Sequence, residues 1–209
     1  MGSLNNGPFG HLTGRVGNLV GYTLNGKNVV RQVGQITKPP SEPKLANYQK
    51  MAVVNAFLKP ILPVINLGFA LEVQGTVRNQ HNEAVSYNKK NALQGEYPNI
   101  EMDYSKVLIS KGNLPPALAP ATNILSDGIE FTWEVPPGMC YSDLDNRAML
   151  LLYYPQNQTA IARLSAARRS ELRDFIALTP ADLAQQVHAY IAFVADDRMN
   201  VSDSRYSAQ

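Results

Sequence analysis

Apolar positions alternate on both sides of Asn25-Gly26, the clearest local pattern in the chain. Val20, Tyr22 and Leu24 precede the pair, and Val29, Val30 and Val33 follow it. Asn followed by Gly takes up positive φ at both central positions of a type I′ turn at low steric cost, so the pattern predicts a β-hairpin. Pairing outward from the turn puts Leu24 opposite Lys27, Tyr22 opposite Val29, Val20 opposite Arg31 and Asn18 opposite Val33. The other face carries Thr23 with Asn28, Gly21 with Val30 and Leu19 with Gln32. Neither face is cleanly polar, and an isolated hairpin is marginal in water.

Beyond the stiff segment Thr37-Lys38-Pro39-Pro40-Ser41-Glu42-Pro43 the period becomes helical. Leu45, Tyr48, Ala52, Val53, Ala56 and Phe57 predict a helix capped by Ser41, with Pro43 in its first turn, ended or kinked at Pro60 and Pro63. Val64 to Phe69 fits a buried helical turn or an extended piece. A second helix is expected from Asn82 to Leu93, stopped by Gly95. From Ile100 the alternation is strand-like, predicting a strand over 100–110. An irregular lead-in through Pro115, Pro116 and Pro120 precedes strands at 129–135, 148–154, 172–178, 187–195 and 202–206. Strands at this interval, separated by Pro, Gly and Asp, predict a β-sandwich. The fold class is therefore α+β, mainly β, in three parts: a glycine-rich hairpin arm (1–36), a proline linker with a helical section (37–98), and an immunoglobulin-like sandwich (99–209).

The stretch from Ala117 onward resembles a fibronectin type III or immunoglobulin-like domain. Phe131-Thr132-Trp133 supplies a second strand with a core tryptophan, and Leu178-Thr179-Pro180 precedes Val187 to Phe193 as a tyrosine corner precedes its strand. The gap from Pro180 to Tyr190 is longer than in that family and lacks its glycine. The whole chain also resembles an uncharacterised bacterial family of about this length. The likeness rests on Gly14-Arg15-Val16-Gly17-Asn18-Leu19-Val20-Gly21-Tyr22, followed by Gly26-Lys27, Val29-Val30-Arg31 and a proline linker. It implies the architecture and carries no activity.

Eight of the 14 glycines fall in the first 34 residues. Gly7, Gly10, Gly14, Gly17 and Gly21 have helical spacing, but each interior glycine costs a helix roughly 1 kcal/mol, so strands that another backbone approaches closely are expected. Gly21 to Lys27 begins like a phosphate-binding loop, yet Asn28 stands where Ser or Thr should, and Val29-Val30-Arg31 reads as strand. Gly2 suggests myristoylation, which Asn6 contradicts.

A net charge of +2 with scattered basic residues makes no case for nucleic acid, and Arg163, Arg168, Arg169 and Arg173 read as a solvated polar segment. The single cysteine, Cys140, excludes an internal disulfide and is expected to be buried and inert. MGSLNNGPFG has no basic start or apolar core, so synthesis in the cytoplasm without a signal peptide is expected, with release or incorporation into a particle compatible. The apolar runs are too short for a membrane span.

His11, His81 and His188 lack metal-ligand spacing, and no serine sits in a nucleophile elbow. Asp143 and Asp145 alternate with other oxygen-bearing side chains, but the glycine and distal glutamate of a calcium loop are missing. Asp196-Asp197 reads as a turn. No catalytic residue, cofactor or metal is assigned. The chain is read as a non-enzymatic assembly protein and homo-oligomer, associating through strand contacts of Val16, Val20, Tyr22, Leu24, Val29, Arg31 and Val33. Two alternatives stand beside it: a module whose sandwich loops and tyrosines hold a carbohydrate or protein partner, and a virion structural protein.

Overall fold

The computed structural model describes residues 2–4, 7, 10–35 and 38–207. Asn6 and Thr37, on which the myristoylation reading and the start of the proline linker rest, lie outside them. Contacts divide the chain into two compact units, Met1–Ser41 and Glu42–Gln209.

The first unit is an antiparallel meander of β1 (Ser3–Leu4), β2 (Leu12–Val16), β3 (Leu19–Leu24) and β4 (Lys27–Gln32), in that order. Every pairing expected across Asn25-Gly26 is present, from Leu24 with Lys27 to Leu19 with Gln32. Asn25 has φ 49° and Gly26 φ 76°, as a type I′ turn requires. A second hairpin, not read from the sequence, joins β2 to β3 through Gly17-Asn18, pairing Val16 with Leu19 and Gly14 with Gly21. Gly17 alone of the two has positive φ, which is the II′ turn. At Gly14, with φ 92°, β2 changes partner from β1 to β3. Leu12 lies so close over Gly21 that a Cβ there would collide with its carbonyl. The close backbone approach expected of these glycines is met at that point.

The second unit has three layers. Helix α1 (Glu42–Leu58), a 3₁₀ turn (Lys59–Ile61), α2 (Leu62–Gly68), α3 (Ala70–Val73) and α4 (Gln80–Asn91) form the first. Pro60 and Pro63 fall where one helical segment gives way to the next, as anticipated. Asn79 caps α4 by accepting from the Asn82 N–H at 2.7 Å. A short ribbon, β5 (Leu93–Gln94) with β6 (Glu101–Met102), follows α4.

The other two layers are antiparallel sheets. One has the order β11 (Arg173–Ala177), β8 (Gly128–Glu134), β7 (Leu118–Leu125); the other is β10 (Thr159–Arg163), β9 (Arg147–Tyr154), β12 (His188–Val194), β13 (Arg205–Ser207). Short helices α5 (Tyr141–Leu144) and α6 (Pro180–Leu183) lie in the connections. Between the sheets pack Ile129, Phe131 and Trp133 of β8, Leu150 and Leu152 of β9, and Ile191 and Phe193 of β12. The alternate residues Met149, Leu151, Tyr153, Tyr190, Ala192 and Val194 face Val54, Phe57, Leu58, Ile61 and Ile65 of the helices. Strands β9 and β12 are thus buried on both faces, which is why they are continuously apolar.

Residues 42–98 and 99–207 therefore pack as one body, where the sequence suggested two. A further correction concerns length: Glu42–Gly68 forms a helical run of 27 residues, long and apolar enough to cross a membrane by those two measures. Its residues Val54, Phe57, Leu58, Ile61, Val64 and Ile65 are buried in the core instead.

The strand expected over 100–110 is only Glu101–Met102, followed by a 3₁₀ turn at Tyr104–Lys106. A side chain replaces the ladder: the Asn88 amide accepts from the Leu108 N–H and donates to its carbonyl, both at 2.9 Å. The residues flanking Pro120 do form strand β7, with Ala119 at φ 43° and a register shift between Leu118 and Ala121. Proline is tolerated at such a bulge on an edge strand. Strand β10 was also not anticipated.

Candidate interaction surface

Strand alternation sorts the seven residues proposed as an interface into two faces. Val20 opposite Arg31 and Tyr22 opposite Val29 share one face of the N-terminal sheet with Leu24. Val33 belongs to the same face, its N–H donating to the Asn18 carbonyl at 2.7 Å. Val16 does not: paired with Leu19, it lies on the reverse face, which also carries Val30. The Arg31 guanidinium stands 5.9 Å from the Tyr22 ring centre.

Each face exposes at least one large apolar side chain. Val16 is 50% exposed, Leu19 41%, Leu24 55% and Val30 54%. Among the described residues of this unit, only Gly21 is buried. A sheet ordinarily buries one face against another layer. Here no hydrophobic side chain among the described residues of this unit is in the buried set. Strand β4 ends the sheet, and among the described residues no strand pairs with its outer edge.

The remaining chemical candidates are dispersed. Cys140 is exposed rather than buried, with Sγ 3.0 Å from the Ser142 hydroxyl and 3.2 Å from Asp143. Asp145 pairs with Arg168 at 3.1 Å, so the two aspartates are turned to different partners. Asp197 accepts from the Met199 N–H at 2.8 Å in the expected turn, and Asp196 lies 3.6 Å from Arg147. No group of three or more His, Cys, Asp or Glu able to hold a metal occurs among the described residues.

His188 stacks on Tyr104 with centroids 4.1 Å apart, and Nδ1 is 3.1 Å from the Tyr206 hydroxyl. Burial lowers its pKa. Tyr153 is pushed up to about 12, first by burial and then by Tyr104 beside it. Tyr190 points to the helical layer and donates to the Tyr104 carbonyl at 2.8 Å.

Arg169 corrects the reading of a solvated arginine segment. It is 1% exposed, with its guanidinium 3.8 Å from the Phe193 ring centre and Nη2 donating to the Pro115 carbonyl at 2.8 Å. Its own carbonyl accepts from Trp133 Nε1 at 2.8 Å. Burial lowers its pKa to about 10. Arg163 and Arg168 are exposed and paired with Asp174 and Asp145, as a solvated segment would be.

The chain belongs to a family of unknown function (DUF6266), matched over residues 11–208. The family thus takes in the meander from just before β2 to the last strand, so both units are part of it. No curated protein and no solved structure matches the chain.

Proposed function

We propose that this protein is a non-enzymatic structural protein that self-associates through its N-terminal strand unit. The observation that carries the reading is the meander of β1 to β4: an ordered sheet that exposes Val16, Leu19 and Val30 on one face and Leu24 on the other, with no buried hydrophobic side chain among its described residues. Removing such side chains from water stabilises an assembly by roughly 25 cal/mol per Å2. Association by strand contacts uses the same backbone groups that make an unpaired edge prone to add strands. The likeness to a fibronectin type III sandwich belongs to this reading, and the strand order supports it, with β7, β8 and β11 in one sheet and β10, β9, β12 and β13 in the other.

Light scattering over a concentration series tests it, on the full chain and on a chain lacking residues 1–41. The full chain is expected at a multiple of its own mass, and the shortened one at a single mass. A full chain that stays monomeric throughout overturns the proposal, and a shortened chain that keeps the assembled mass moves the contact elsewhere.

A binding module is the second reading, favoured by a recess of about 300 Å3 whose wall includes Phe57, Tyr104 and Tyr153, with Glu101 at its side. Tyr104 is half-buried there, and an aromatic wall is the kind of surface on which a sugar stacks. Binding of the full chain to a glycan array, lost in Tyr104→Ala, would favour this reading.

A further inference from the structure

We infer that the assembly contact is strand β4 paired antiparallel with β4 of a second copy about a two-fold axis at Val30, making one continuous sheet from two meanders. The inference rests on the self-association proposed above and names its partner and register. Val33 donates inward to Asn18, so the N–H and C=O groups of residues 27, 29, 31 and 33 are spent on β3. Those of Asn28, Val30 and Gln32 point outward along an edge that no strand among the described residues adjoins. They are spaced evenly about Val30, so the edge presents the same sequence of donors and acceptors to a copy running the opposite way. Strand β1, at the other end of the sheet, is two residues long and offers no comparable ladder.

Charge selects the register. A two-fold pairing centred on Val29 would set Lys27 opposite Arg31 of the other copy, and one centred on Arg31 would set the two arginines face to face; like charges directly opposite are unfavourable. Centred on Val30, Val30 meets its own counterpart, Asn28 meets Gln32, Val29 meets Arg31, and Lys27 meets Val33. Every outward N–H and C=O of Asn28, Val30 and Gln32 then finds a partner. The Arg31 guanidinium is already turned over the Tyr22 ring of its own sheet, away from the diagonal Lys27. The exposed Val30 then meets its counterpart at the axis, on the face that also exposes Leu19 and Val16 in the neighbouring row of each copy. A two-fold contact is closed, so this pairing yields a dimer as the unit of any larger assembly.

Two double variants of the full chain test the register by sedimentation or light scattering across a dilution series. Residues 28 and 32 are exposed, and within one copy they are a full four positions apart along the strand, so they meet only across the axis. N28K/Q32K places lysine opposite lysine twice and is expected to raise the dimer Kd about ten-fold. N28K/Q32E places lysine opposite glutamate twice and is expected to dimerise at least as tightly as the wild type. If both variants associate as the wild type does, the contact is not this edge, and the self-association itself still stands. If both weaken alike, the register is wrong. A wild-type chain that never exceeds one mass removes the underlying proposal instead.

Discussion

Replacing Arg169 by methionine and by alanine separates what its charge contributes from what its volume contributes. The charge is held by a hydrogen bond from Nη2 to the Pro115 carbonyl at 2.8 Å and by the Phe193 ring, whose centre is 3.8 Å away. Losing the first leaves a part-buried carbonyl unpaired at about 1–3 kcal/mol, and losing a desolvated cation–π contact costs about 2 kcal/mol. Against these stands the cost of burying the guanidinium, seen in a pKa lowered from 12.5 to about 10, which corresponds to about 3 kcal/mol at 1.36 kcal/mol per unit. Methionine removes both sides of this balance while filling most of the space, so Arg169→Met should cost about 1 kcal/mol. Alanine also leaves a cavity between the sheets, adding about 3 kcal/mol, for a total of about 4 kcal/mol. Trp133 is the chain's only tryptophan and its indole donates to the Arg169 carbonyl at 2.8 Å, so its fluorescence in a urea titration reports directly on this core. If the two variants are equally destabilised, the charge and not the packing holds this end of the sandwich, and the reasoning above is refuted.

Asn88→Ala should destabilise the helix-bearing unit by about 3 kcal/mol, because the Leu108 N–H and C=O both lose their bond to the Asn88 amide; Asn88→Asp should cost at least as much, since it turns an acceptor toward that carbonyl, and thermal melts of both check this. His188 has a pKa held below 6.5 by burial, so the fold binds fewer protons than the unfolded chain. Its contribution is fully present above pH 6.5 and is lost as pH falls through the folded value; stability measured from pH 7 to pH 5 should fall less steeply in His188→Gln than in the wild type. Burial raises the phenols of Tyr153 and Tyr190, so their contribution is present below pH 10 and is lost as pH rises through the raised values; alkaline unfolding should begin later in Tyr190→Phe, at the cost of about 1 kcal/mol at neutral pH for the hydrogen bond to Tyr104. Gly26→Ala should cost about 1–2 kcal/mol through its positive φ of 76°, read as faster hydrogen exchange at Leu24, Tyr22 and Val29 with no change in the amides of β9.

The sequence by itself determined whatever short-range chemistry decides. Asn25-Gly26 specifies a I′ turn, and that turn alone fixes which residue of β3 faces which residue of β4. Pro60 and Pro63 mark the joints of the helical run, because a missing N–H acts at its own position. Gly17-Asn18 makes a second hairpin, but its Gly-first order lacks the Asn-Gly signature of the first. What only the tertiary structure decided depends on groups far apart in the chain. Residues 148–154 and 188–194 are apolar on both faces because helices cover one side and a second sheet the other, and a continuous apolar run does not say which layers enclose it. Residues 107–110 alternate like a strand, yet Asn88, twenty residues earlier, takes the place of a neighbouring ladder. Arg169 looks like one more basic residue in a charged stretch until Phe193 and Pro115 close around it. The interface residues divide in the same way. Alternation along β3 and β4 put Val20, Tyr22, Leu24, Val29 and Arg31 on one face from local pattern alone. Val16 fell on the other face because the second hairpin, and not its sequence distance from Val20, sets its partner.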